Sequence, residues 1–300
     1  MSRGRVLLVL LLLAALAALT RAQFVSGAVR NLGLPINTPG IEVGPNLSAD
    51  GLTIYFVSDR PGGHSGAPEL WMSTRPTPQE AWRSPVNLGS IVNSHSAASP
   101  SISADELELY FDTGTQVRPG GQGSGDIWVT RRSRVSDPWS APENMGPGVN
   151  SPSADSVPKL GRDGLTLYFA SNRPGGSGNL DIWVATRRSR SEPWEAPVNL
   201  GQVVNGPGND WSPAISASGL TLIIQSDRPG GLGGDDLWLA TRDSHTSPWG
   251  TPVHLGPDIN STSDDAKADI SSDGGSLLFM STRSGGVGSL DIWEAPVVIR

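Results

Sequence analysis

The 300-residue chain has no cysteine, only four methionines and only two lysines, Lys159 and Lys267. Without cysteine it can form no disulfide framework, no thiolate metal site and no lipidated-cysteine anchor, so its stability must come from packing. No stretch carries the period of a long amphipathic helix. Long apolar runs are also missing, with one exception at the N-terminus: Val6 to Leu19, preceded by Arg3 and Arg5 and followed by Thr20-Arg21-Ala22. That run falls short of the ~20 residues a bilayer-spanning helix needs. Its basic, apolar, small-residue order is that of a secretory signal. Residues 1–22 are therefore expected to be removed, leaving a secreted or periplasmic chain, 23–300, that does not span a membrane.

Basic residues are outnumbered too. The net charge is −7, and loss of Arg3, Arg5 and Arg21 with the leader makes it −10. An acidic chain of this kind is a poor partner for nucleic acid. Glycine (37) and proline (25) are abundant, but apolar residues recur in short alternating strings between them, so these breakers mark turns between strands and not disorder.

What is present repeats. Tryptophans of an Asp/Glu-x-Trp triplet fall at Trp71, Trp128, Trp183, Trp238 and Trp293, at intervals of 57, 55, 55 and 55 residues. A second landmark, Asn-Leu-Gly or a near variant, begins at Asn31, Asn87, Asn144, Asn199 and His254. Two independent series thus count five repeats. Each repeat opens with a short apolar strand around Leu47, Ile102, Leu160, Ile215 or Ile270. A Gly-containing turn and an alternating run such as Leu165 to Phe169 follow. Next come a loop like Ser171 to Gly178, a strand like Asp181 to Thr186, and a last strand near Asn-Leu-Gly. Four strands in ~50 residues make a propeller blade, and five of them an all-β, five-bladed β-propeller. The fifth repeat ends soon after Trp293 without its fourth strand, whereas Ala28 to Gly33 is an orphan fourth strand at the other end. The orphan is expected to complete the last blade.

The segments Ser226 to Gly231 (Ser-Asp-Arg-Pro-Gly-Gly), Asp236-Leu237-Trp238 and Trp211 to Ser216 resemble bacterial propeller repeats related to the WD type and to the propeller of the translocation protein TolB. The likeness covers residues 28 to 295. It implies an envelope-associated binding scaffold, and it specifies a fold more than a ligand.

Antiparallel strands sort the loops onto two faces. One, the decorated face, carries the Arg-Pro-Gly-Gly loops (Arg60, Arg173, Arg228, and Arg283 before Ser-Gly-Gly), the segments at Asn37, Asn93, Asn150, Asn205 and Asn260, and Glu42, Asp155, Asp210, Asp264 and Asp265. The other carries Arg131, Arg132, Arg134, Arg187, Arg188, Arg190 and Arg242, which predicts an electrically bipolar molecule. The repeated tryptophans read as packing between blades. Each loop arginine is expected to pair with a neighbouring acid, for example Arg173 with Asp181.

The acids that open the innermost strands, Glu42, Asp155, Asp210 and Asp265 (Ala97 in the second repeat), are expected at the mouth of the central channel. There they either cap the strand turn or act on a ligand, as cation or sugar ligands or as an acid and base pair. Functional departures from the repeat are Asp112, Lys159, Trp211, Gln225, Asp264 and Lys267. The histidines His64, His95, His245 and His254 have no metal-ligand spacing, and no cofactor motif is present. These features predict a monomeric, non-catalytic binding propeller for a protein or glycan of the cell envelope. One alternative is a carbohydrate-active enzyme, because five-bladed propellers include glycosidases with three carboxylates in the funnel, a pattern that Glu42, Asp155 and Asp210 imitate. Another is a lectin with one site per blade on the five loops.

Overall fold

Each repeat's alternating runs pair as expected. In the computed structural model, which describes residues 24–65, 67–114 and 118–299, the strands in chain order are β1 (Phe24–Ser26), β2 (Arg30–Asn31), β3 (Glu42–Leu47), β4 (Thr53–Ser58), β5 (Glu69–Thr74), β6 (Val86–Asn87), β7 (Ala98–Ile102), β8 (Glu108–Asp112), β9 (Ile127–Arg131), β10 (Glu143–Asn144), β11 (Asp155–Leu160), β12 (Thr166–Ser171), β13 (Asp181–Thr186), β14 (Val198–Asn199), β15 (Asp210–Ile215), β16 (Thr221–Ser226), β17 (Asp236–Thr241), β18 (Val253–His254), β19 (Asp265–Ile270), β20 (Ser276–Ser281) and β21 (Asp291–Ile299). The expected secretory signal lies outside the described residues, among which no helix is long and apolar enough to cross a membrane.

Blades I to IV are the antiparallel meanders β3–β6, β7–β10, β11–β14 and β15–β18. Blade V is β19–β20–β21, completed by β2 as the sequence predicts, with Asn31 opposite Trp293. β21 then runs on and pairs with β1, an extension the repeat pattern did not signal. The innermost strands touch in the order β3, β7, β11, β15, β19 and back to β3, which closes a five-bladed ring.

The core is divided by the seams. Five apolar clusters form, and each joins two neighbouring blades; Leu47, Phe56 and Trp71 of blade I, for instance, pack on Leu278 and Ile292 of blade V. One buried asparagine per repeat holds the seam geometry. Asn205 accepts from Ile182 N at 2.8 Å and donates to its carbonyl at 3.1 Å, and Asn37 does the same to Ile292, at 2.9 Å each way. A strand edge satisfied by an amide side chain in this manner needs no partner strand.

Every innermost strand carries a bulge at one repeat position: Gly44, Ser99, Val157, Ser212 and Lys267, with φ of 61, 48, 50, 49 and 47°. Four of these residues are not glycine, at a cost of about 1 kcal/mol or more each. In four blades proline follows (Pro45, Pro100, Pro158, Pro213), which has no N–H for the bulge to orphan. The bulged residues and prolines line the axis of the ring.

Candidate functional site

The four repeat acids are fully buried, so they do not present carboxylates at the channel mouth as the sequence suggested. Asp155 accepts from Ser151 N (2.5 Å), Ser151 Oγ (2.8 Å) and Arg173 Nη2 (2.5 Å). Asp265 has the same partners in Ser261 and Arg283, and Asp210 accepts from Gly206 N and Arg228. Glu42 takes Thr38 N (2.6 Å), Ser58 Oγ (2.7 Å) and Arg60 (3.2 Å). Arg173 therefore pairs with Asp155 and not with Asp181. Asp181 is occupied in capping its own loop, through Ser177 N at 2.5 Å and Gly178 N at 2.9 Å. The loop needs glycine to turn back onto that cap: Gly175 sits at φ +101°. The guanidinium of Arg173 lies 5.0 Å from the Phe169 ring centre and 5.2 Å from that of Trp183, so the repeated tryptophan also serves as a cation–π floor.

Both lysines enter the channel and close it. Lys159 of blade III crosses to Asp269 of blade V in a buried ion pair. Asp269 also accepts Leu47 N of blade I at 2.7 Å. Lys267 of blade V likewise crosses the axis and donates to Ser99 Oγ of blade II at 3.3 Å. The space between the bulged residues and the two lysines is about 20 Å³, room for about one water. Burial pushes both ammonium groups down from their usual 10.5, opposed by Asp269 at Lys159 and by Asp112 at Lys267. Asp112 and Gln225, at the same repeat position, cap the bulge of the next blade: Asp112 takes Val157 N at 2.9 Å, and Gln225 Oε1 lies 3.4 Å from Lys267 N. Asp269 was not singled out in the sequence, although its place beside a lysine-bearing bulge is visible there.

The remaining departures gather at one seam, between blades IV and V. Trp211, whose counterparts are Val43, Ala98, Ser156 and Ala266, is only half-buried and stands directly across from Gln225 in the β15–β16 pair. Both face Asp235, an acid found in no other repeat at this position. Asp235 N lies 3.2 Å from Asp264 Oδ1, so Asp264 acts as a backbone cap. The Trp211 indole N–H is buried and makes no hydrogen bond among the described residues. Burial pushes the Asp235 carboxyl up; the Gln225 amide pulls it back, and Asp264 and Asp227 add repulsion. A carboxyl whose folded pKa exceeds its unfolded value of 3.8 loses stability as pH rises through that interval. Asp235→Asn should accordingly raise the melting temperature at pH 7, with the gain vanishing below 3.8. A melting series against pH checks this, and a fall at pH 7 would contradict it.

On the opposite face, where the sequence places a run of arginines, acids stand beside several of them. Arg132 and Arg187 lie 3.7 and 3.3 Å from Glu106 and Glu108, and Arg190 reaches Asp105 at 2.6 Å. Charge there is balanced locally.

No protein-family model matches the chain, and no curated protein matches it. Solved structures share its architecture. The catalytic domain of the GH62 α-L-arabinofuranosidase of Coprinopsis cinerea superposes with a TM-score of 0.58 at 10% identity, over 92% of this chain and 97% of that one. A family 117 glycoside hydrolase of Zobellia galactanivorans gives 0.55 at 12%, over 92% and 90%. A protein assigned as TolB from Agrobacterium tumefaciens gives 0.51 at 16%, over 93% and 99%. At such identities the likeness is one of fold: this chain is a five-bladed β-propeller.

Proposed function

We propose that this protein is an exported, non-catalytic binding propeller that takes a glycan of the cell envelope on its decorated face, at the seam of blades IV and V. One observation carries the reading. All four repeat acids that a funnel hydrolase would use are buried and fully engaged by backbone amides and arginines. A glycosidase needs two carboxyls in unlike surroundings flanking one bond. Between the bulged residues the axis narrows to a space of about 20 Å³ beside the Lys159–Asp269 pair, too small for a sugar ring. The gathering at Trp211 offers instead what recognition needs: a half-buried aromatic face for the apolar side of a sugar ring and, beside it, the half-buried carboxylate of Asp235 as acceptor.

Calorimetric titration of the purified protein with a panel of envelope and plant oligosaccharides tests this. Saturable binding without product is expected, weakened at least ~10-fold by Trp211→Ala and by Asp235→Asn, or about 1.4 kcal/mol. Release of reducing sugar that Asp235→Asn abolishes would overturn the binding-only reading. Binding of an envelope protein in place of any glycan would reassign the ligand.

A further inference from the structure

Five copies of one blade provide an internal control for each position, and blade II breaks the most regular ion pair in the molecule. In the other four blades the loop arginine meets the acid that opens the inner strand: Arg60 with Glu42 (3.2 Å), Arg173 with Asp155 (2.5 Å), Arg283 with Asp265 (2.5 Å), and Arg228 with Asp210. Blade II keeps the arginine and has Ala97 where the acid belongs.

Arg118 reaches the usual place although it lies four residues further from the end of its second strand than its counterparts do. Its guanidinium sits 5.5 Å from the Phe111 ring centre and 5.2 Å from that of Trp128, like the others. Nη2 donates to Val92 O at 3.0 Å, as Arg173 does to Val149 O at 2.6 Å. It also donates to Ser94 Oγ at 2.7 Å. Nη1 is buried and has no hydrogen-bond partner among the described residues, and no carboxylate there comes within ion-pair distance. The side chain as a whole is 5% exposed. Burial alone pushes this guanidinium down, with no acid to oppose it.

The neighbouring segment departs from the sister blades as well. The amides of Thr38, Ser151, Gly206 and Ser261 all donate to the acid of their own blade. Ser94 is their counterpart, and with Ala97 in place of the acid its amide has no such acceptor. Ser94 and His95 are exposed, so this position, unlike the four sealed ones, borders solvent on the decorated face.

A buried cation with an unused N–H, where the sister blades supply a carboxylate, is the complement of a small monoanion. We infer that blade II binds a carboxylate group here, no larger than the aspartate side chain that the sister blades supply, held by Arg118 Nη1. The chain thus carries on blade II a point that reads an acidic group, separate from the Trp211 gathering on blades IV and V. Halide ion is the simplest stand-in of the same charge.

The test is the melting temperature of the purified protein in sodium formate and in sodium chloride, each at constant ionic strength against sodium methanesulfonate, whose anion is too bulky for an aspartate-sized site. A ligand that binds only the folded state raises the melting temperature with the logarithm of its concentration. The wild type should respond to formate, and a larger response to chloride would make the site a halide site and overturn the carboxylate assignment. Ala97→Asp should melt higher than wild type without formate and show no formate response. Should that variant not fold, Arg118→Met, which removes the buried charge, should fold and also lose the response. Equal responses in wild type and variants, or none in the wild type, would overturn the inference.

Discussion

Deletion of residues 23–36 should lower the melting temperature by more than ~10 °C or leave the protein insoluble, although Ile36 is the single fully buried large apolar side chain among the segment's described side chains. The reason is where those residues sit. β2 is the outer strand of blade V, with Arg30 opposite Glu294 and Asn31 opposite Trp293. Asn31 also donates to Asp291 at 3.0 Å. The carbonyls of Pro35 and Ile36 accept from Arg60 alongside Glu42 and Ser58, so their loss uncovers part of a buried guanidinium in blade I as well. Ile36 packs in the cluster that joins blade I to blade V. Loss of one such side chain costs ~2–5 kcal/mol. Unpaired backbone and an opened strand edge add to that. The sum approaches the 5–15 kcal/mol that holds a typical domain together. At about 2–4 °C per kcal/mol for a domain of this size, the fall should be unmistakable by circular dichroism. A melt within a few degrees of wild type would show that the ring does not depend on its closing strand.

Asp269→Ala should cost about 3–5 kcal/mol, more than any surface change in the molecule. Removal of this carboxylate strands the Lys159 ammonium in the axis and takes the acceptor from Leu47 N. A buried charge left without its partner is far more expensive than the pair itself is beneficial. The pair should therefore be replaceable. In Lys159→Met with Asp269→Asn, the amide oxygen still accepts Leu47 N and no charge remains, so most of the loss should be recovered. Urea titrations of the two single variants and the double variant measure the coupling directly. Additive losses would mean that Lys159 and Asp269 stabilise the axis independently.

These two results concern different kinds of information. The closing strand was legible in the sequence because the missing fourth strand at one end and the orphan at the other are both visible in a repeat alignment. The ion pair was not. Lys159 stood out as one of two lysines, but its partner lies 110 residues away on a non-adjacent blade. No periodicity relates the two. Trp211, Gln225 and Lys267 were recognisable as departures from the repeat; Asp235 was hidden by the more regular Asp236 beside it. Arg118 was visible only as an irregular loop.

By itself the sequence determined the number of blades, the strand order within them, the face on which each loop emerges and the closure of the ring. All of these follow from period-two alternation and a repeat of about 55 residues, which are properties of neighbours along the chain. Only the tertiary structure decided which charges are occupied. It paired Arg173 with Asp155 rather than Asp181, buried the repeat acids, plugged the axis with Lys159 and Lys267, and drew Trp211, Gln225 and Asp235 together. It also left Arg118 without an acid. Those outcomes depend on how blades lean against one another around a closed ring, and that geometry places in contact residues whose separation along the chain carries no signal.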